Sequence, residues 1–228
     1  MVEFDMTSNS LTNLSASGYN ADGTIAQGAI HYVPSFGPNG MLVVMGRLTK
    51  NDVAGLVDFG IVSAYDPAKH EWFNQTTTGN KPAPMEGFCT AGISSTNNTY
   101  EIFVYAGWGS LPGSEAVEYD TINILTLPAS HWISVPYNPQ NPRQAHTCNS
   151  VGDSQILTMG GIDSNANATS GENPAIFQSE YNSTADPFAQ GLAIFDMTKL
   201  AFADHYTAGT LAYEQSDPIK QSYAQSQK

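Results

Sequence analysis

The feature that most constrains this chain is an internal repeat. Phe4-Asp5-Met6-Thr7 recurs letter for letter as Phe195-Asp196-Met197-Thr198. Six residues after each aspartate stands a bulky apolar residue, Leu11 and Phe202. The same six-residue step joins Asp66 to Trp72 and Thr126 to Trp132. Positions 5, 66, 126 and 196 are spaced 61, 60 and 70 residues apart. A second marker keeps the same phase: an apolar, β-prone run ends in glycine at Gly46, Gly107 and Gly161, at intervals of 61 and 54. Two markers sharing one period define a repeat architecture, in which each unit buries its apolar face against the next.

Each period reads as four short strands. In the middle one they fall at residues 87–94, 101–107, 120–127 and 132–136, rich in Ile, Val, Phe, Tyr and Thr. The 20 glycines and 13 prolines lie mostly between such runs. Four-stranded repeats of about 50–60 residues predict an all-β chain of β-propeller blades. The blades fall at residues 28–74, 87–136 and 145–206, with half a blade at 1–15. A C-terminal extension follows at 207–228, where Ser216, Asp217 and Pro218 offer the start of a short helix. The markers have packing reasons. Glycine gives a tight exit from a strand, Asp-Pro presets a turn, and a bulky residue opening the fourth strand fills the wide outer gap between radiating sheets. Three and a half blades leave open sheets at both ends, an aggregation hazard. The chain is therefore expected to be a piece of a longer protein.

Composition narrows the partners. A net charge of −13 with only 13% charged residues does not suit a phosphate backbone, so nucleic acid is not expected. No apolar run approaches the roughly 18 residues of a membrane span. The first residues, with Glu3 and Asp5, do not read as a signal peptide. Yet Asn-X-Ser/Thr occurs at Asn13, Asn74, Asn97, Asn167 and Asn182, against roughly three expected by chance. These sequons and the two cysteines, Cys89 and Cys148, point to an extracellular or cell-surface location, with any leader upstream of this segment.

The glycine-ended strands, the Tyr65-Asp66 turn and the phased tryptophans resemble the kelch repeat. The run of repeats is similar to the galactose-oxidase-like propeller ectodomains of fungal cell-surface proteins, over about residues 4–223. Only Gly160-Gly161 matches the glycine pair of that pattern; the other units read Met45-Gly46 and Ala106-Gly107. In the resembling family a membrane span often follows the propeller. The resemblance raises a copper site of two Tyr, two His and a Cys crosslinked to a Tyr. Here His70 and His131 fall in turns of different blades, and His31 and His146 on opposite flanks of the middle one, so no cofactor or metal is expected. Asp163-Ser164-Asn165-Ala166-Asn167 begins like a calcium loop but has Ala168 and Pro174 at its defining sixth and twelfth positions. No Gly-X-Ser-X-Gly is present, and no carboxylate pair is singled out by spacing.

The remaining reading is binding. Strand directions alternate, so second-to-third-strand connections and blade-to-blade connections share one face, and these are the longer ones. Long loops on a rigid frame carry recognition. Trp108 and Arg47 are the candidate contacts there, for a protein or carbohydrate ligand. Packing against a neighbouring blade is the competing role for Trp108. Cys89 and Cys148 follow Pro84 and Pro142 by five and six residues, which places both in innermost strands of adjacent blades. A disulfide and two buried thiols both fit that placement. The sequons and the family resemblance favour the bridge. The leading expectation is a non-catalytic surface binding module. A divergent galactose-oxidase-like enzyme and an intracellular kelch scaffold are the alternatives.

Overall fold

The computed structural model describes residues 1–15, 27–46, 56, 58–109, 119–136, 138, 142–164 and 188–226. An N-terminal hairpin pairs β1 (Val2–Asp5) with β2 (Ser10–Asn13). Blade one is the antiparallel sheet β3 (Ala29–Val33), β4 (Met41–Met45), β5 (Ile61–Asp66) and β6 (Glu71–Thr76), in that order. A two-residue strand, β7 (Thr78–Gly79), then runs parallel to the outer edge of blade two. Blade two follows as β8 (Cys89–Ser94), β9 (Tyr100–Tyr105), β10 (Ile122–Leu127) and β11 (His131–Ser134). Blade three comprises β13 (Thr147–Val151), β14 (Gln155–Met159), β16 (Leu192–Asp196) and β17 (Ala201–Ala203). A small pair, β12 (Arg143–Gln144) with β15 (Ile162–Asp163), sits at its end. These are propeller blades, each a meander running outward from its first strand. One helix, α1 (Asp217–Ser226), closes the described chain.

The turn between third and fourth strands explains the repeat. Asp5, Asp66 and Asp196 each accept backbone N–H bonds through Oδ1 from the residues two and three places on. The distances are 2.7 and 3.3 Å for Asp5, 2.9 and 3.3 Å for Asp66, and 3.0 and 2.9 Å for Asp196. Four places on stands a residue of positive φ: Asn9 at 57°, His70 at 56° and Leu200 at 54°. The fourth strand starts at the next residue. A left-handed non-glycine costs on the order of 1–3 kcal/mol, so the aspartate bonds that close the turn are what hold it. Sequence reading assigned this turn to Asp-Pro, but only Asp66 is followed by proline. The carboxylate does the shared work. Blade two differs: Thr126 Oγ1 donates to the His131 carbonyl at 3.0 Å, the Leu127–Pro128 peptide is cis, and Ser130 takes the left-handed position at 52°.

The bulky residue opening each fourth strand reaches back to the preceding unit. Trp72 Nε1 donates to the Ser15 carbonyl at 3.1 Å. Trp132 is fully buried; its Nε1 donates to the Phe59 carbonyl of blade one at 3.1 Å and its ring meets Phe59 edge-on at 5.4 Å. Phe202 packs on Tyr105 of blade two at 5.5 Å and on Phe195 at 5.3 Å. Leu11 is the exception. It is 71% exposed, with no earlier sheet before it among the described residues.

The core lies on the two sides of blade two. Against blade one it gathers Val43, Phe59, Met85, Ile102, Val104 and Trp132. Against blade three it gathers Phe103, Tyr105, Ile124, Ile156, Phe195 and Met197. The outward side of blade one leaves Ile30, Tyr32 and Ile61 exposed. That of blade three carries an apolar hollow of about 800 Å³ lined by Leu157, Leu192, Ile194 and Tyr206 among others.

The C-terminal segment returns from blade three to blade two. The Gln155 side chain pairs with the Thr207 backbone in both directions, at 2.8 and 3.0 Å. Farther on, Gln215 Nε2 donates to Glu101 Oε1 at 2.8 Å and to Thr99 Oγ1 at 2.9 Å, and the Tyr223 hydroxyl donates to the Leu127 carbonyl at 2.9 Å. Ile219 of α1 is fully buried. Burial pushes the Glu101 carboxyl above its ordinary value, opposed by bonds from Gln215, Thr99 and Tyr223. No helix among the described residues is long and apolar enough to cross a membrane.

Trp132 makes a quantitative prediction. Trp132→Ala removes a fully buried indole and one of the two hydrogen bonds the Phe59 carbonyl accepts, the other coming from the Thr77 hydroxyl. Urea unfolding should show a loss of about 3–5 kcal/mol, and a smaller one for Trp132→Phe.

Candidate functional site

The strand bounds put the long connections at one end of the blades. Second-to-third-strand connections there span residues 46–60, 106–121 and 160–191, and blade-to-blade connections span 77–88 and 135–146. At the other end the turns cover only 34–40, 95–99 and 152–154, and 67–70, 128–130 and 197–200. The C-terminal segment docks at this second end, beside Thr99 and Leu127.

The long-connection end is organised by a backbone belt. Gln27, Gly87 and Ala145 precede the first strands of the three blades, with φ of 55°, 64° and 55°. Gly87 N donates to the Gln27 carbonyl at 3.1 Å, and Ala145 N to the Gly87 carbonyl at 2.8 Å. The glycine marker lies at the same end, with a corrected phase. Gly46, Ala106 and Gly160 share φ of 61°, 51° and 64°, directly after the second strands. Sequence reading had aligned Gly46 with Gly107 and Gly161. Those two are one place later, at 133° and 97°.

Trp108 lies at this end, half-buried. Its backbone exchanges two hydrogen bonds with Glu86, at 2.8 and 2.9 Å. Glu86 leads into the same blade, so Trp108 is anchored within blade two. Arg47, Asn167 and Asn182 lie outside the described residues. Asn13 and Asn74 are exposed on the outer strands β2 and β6. Asn74 accepts from Ser63 through Oδ1, the atom a glycan does not use. Asn97 lies in a short turn at the opposite end, with Nδ2 donating to Gln215 at 3.4 Å.

Sequence reading missed a polar cleft of about 350 Å³ at the long-connection end of blade two. Asn80, Lys81, Tyr119, Thr121 and Ser134 line it, with Asn123 at its base donating to Thr121 Oγ1 at 2.9 Å. Two buried charges flank the same end. Glu86 accepts from the Gln27 amide at 2.6 and 3.1 Å when that amide is oriented to donate. Arg143 Nη1 donates to the Gly160 carbonyl at 2.7 Å, and its guanidinium lies 4.5 Å from the Phe188 ring centre. The available signal was positional: both follow a proline that opens a blade, in a chain with few charges.

The histidines separate as their strands require. His31 meets Thr90 Oγ1 at 3.1 Å and the Tyr100 hydroxyl at 3.0 Å, on the blade-one side of β8. His146 packs against the Tyr105 ring at 5.1 Å, on the blade-three side. Thr90 and Cys89 are successive residues of one strand, and successive side chains point to opposite faces. A tyrosine does stand beside a cysteine, which the sequence had not suggested: Tyr105 is the cross-strand partner of Cys89. Cys89 itself is bonded to Cys148, with Cα atoms 5.4 Å apart, joining the innermost strands of blades two and three.

No family model matches the chain. It is similar to a kelch repeat-containing protein of Arthroderma benhamiae (strain ATCC MYA-4681 / CBS 112371), 25% identical over 187 residues, covering 80% of this chain and 25% of that protein. The chain thus spans about a quarter of the length of the curated relative it matches. A solved structure, that of YjhT, aligns with a TM-score of 0.48 and 13% identity, over 82% of this chain and 54% of that one.

The innermost strands carry two expected outcomes. Burial holds the His31 pKa down at about 4, against an ordinary 6.5. Between those values the unfolded chain takes up the proton and the folded chain does not. His31 therefore contributes stability above about pH 6.5 that is lost as pH falls towards 4. Urea unfolding from pH 7 to 4.5 should show this slope, and His31→Gln should flatten it. The bridge closes a loop of sequence separation 59. The double variant Cys89→Ser, Cys148→Ser should lose about 2–4 kcal/mol, and the denatured, unreduced protein should present no free thiol.

Proposed function

We propose that this chain of kelch-type propeller blades is a non-catalytic binding module, part of a secreted or cell-surface protein. It recognises a protein or glycan through its long-connection end. The observation that carries the reading is the asymmetry of the two ends. The chain's own C-terminal segment, with Ile219, Tyr213 and Gln215 buried, occupies the short-turn end of blade two. The long-connection end keeps Trp108 and the polar cleft of Lys81, Tyr119 and Ser134. A half-buried tryptophan at the same end as a cleft of amide, hydroxyl and ammonium groups suits a polar ligand with an apolar face, as sugars and loop peptides have. The Cys89–Cys148 bridge fits an oxidising compartment.

The ligand-side test is a glycan array and a surface-protein panel probed with the full chain. Trp108→Ala and Lys81→Ala should each weaken a detected interaction by about tenfold or more, the size expected of a buried anchor. A substitution at the opposite end, such as Lys69→Ala, should leave it unchanged. Equal loss from both ends would refute the assignment of the face. Separately, glycosidase treatment of the protein from its native source should lower its mass. An unchanged mass would remove the secretory assignment.

A further inference from the structure

Cys89, His146 and Cys148 bring their ligand atoms within 4.8 Å of one another. Their placement is a product of the fold. His146 and Cys148 are two residues apart where the chain enters β13, so their side chains share one face. Cys89 opens β8, the innermost strand of the neighbouring blade. Gly161 makes room: a Cβ there would stand 2.7 Å from that of His146. The Tyr105 ring closes one side of the imidazole at 5.1 Å. Cys89 and His146 are buried, at 6% exposure each, and Cys148 is half-buried, which leaves an approach from its side.

We propose that these three residues form a redox-gated site for a soft divalent cation, with zinc the best match. In the oxidised chain the two sulfurs are bonded to each other and the site holds no ion. Reduction of the bridge yields two thiols. Its two electrons come from two thiols, which give up their protons and join as a disulfide, or from a phosphine, which takes oxygen from a water molecule whose two protons pass to the cysteines. The cation then displaces both thiol protons, forming two metal–thiolate bonds, with the neutral imidazole nitrogen as third ligand. Zinc–sulfur bonds of about 2.3 Å in tetrahedral geometry set the sulfurs roughly 3.8 Å apart. Side-chain rotation about Cα atoms 5.4 Å apart provides that spacing without moving the strands. Two thiolates and one imidazole select zinc over calcium or magnesium, and three protein ligands leave a fourth position open. The site would keep blades two and three stapled after the covalent bridge is lost.

The test uses the full chain, reduced anaerobically with a phosphine and titrated with cobalt(II) as a spectroscopic stand-in. The expected result is one cobalt per chain, with a thiolate-to-cobalt charge-transfer band and the intense visible bands of a tetrahedral site, displaced by zinc. The oxidised chain should show none of these. Cys148→Ser should abolish the signal, and His146→Ala should weaken binding at least about tenfold. Far-ultraviolet circular dichroism is followed in parallel. If reduction alone unfolds the chain, zinc added before the phosphine should preserve the sheet signal. If His146→Ala does not fold, His146→Gln replaces it. The proposal is overturned if the reduced, folded chain binds no cobalt, or if the histidine variant binds as tightly as the parent. It is also overturned if binding is equally tight in urea, or if zinc fails to preserve a chain that reduction unfolds.

Discussion

Every residue of β9 is buried, and its side chains alternate between two separate cores. Ile102 and Val104 enter the one against blade one; Phe103 and Tyr105 enter the one against blade three. A sheet covered on both faces has no solvent side on which to place polar residues. Its strands therefore read as mainly apolar without an apolar–polar alternation, and the polar side chains they carry must be bonded. Glu101 accepts from Gln215 and Thr99, Asn123 donates to Thr121, and Thr126 donates to the His131 carbonyl. The flanking sheets face this constraint on one side only, and β3 accordingly alternates, with Ile30 and Tyr32 left exposed.

The repeat was legible because the chemistry that makes it is local. An aspartate binds two N–H groups within three residues, a left-handed residue follows, and the next strand begins. That sequence of events leaves its mark at fixed offsets whatever the rest of the blade contains. Blade count, strand order and the C-terminal helix all follow from such local signals. The glycine marker was legible only in part. The left-handed position after the second strand accepts Gly46, Ala106 or Gly160, so the shared letter and the shared conformation fall out of step by one residue. Conformation is set by the strand's end; the letter only makes it inexpensive.

The candidate site was much less legible, and the reason is distance along the chain. The Glu101 carboxyl depends on Gln215, 114 residues away. The Trp132 indole depends on a carbonyl 73 residues earlier. The polar cleft at Lys81 draws its walls from the connection into blade two and from β10 and β11. No window of sequence contains these groups together. Single residues such as Trp108 could be nominated from a loop, but the neighbours that give them a chemical character could not. Glu86 and Arg143 show the same limit. A charge in a connection reads as solvated surface, yet both are 2% exposed, Glu86 beside the Gln27 amide and Arg143 against the Gly160 carbonyl and the Phe188 ring.

The backbone belt of first-strand entries links the parts of the structure that form the proposed face. Backbone bonds pass from Gln27 to Gly87 to Ala145, so the entries of three successive blades are fixed to one another. The Gly107 amide, bonded to the Arg143 carbonyl at 3.0 Å, ties the start of a long connection to the same frame. The Cys89–Cys148 bond lies two or three residues farther along the same strands and holds blades two and three together beneath it. The connection that begins beside Gly107 thus leaves from an anchored point. The short turns have no such task, and there the chain can lay its own terminal helix across blade two. The frame fixes the long-connection end of the blades, while the terminal segment covers the short-turn end of blade two. Among the described residues, Lys81 and Ser134 of the proposed face are exposed, so a change there alters contacts without unpacking a core.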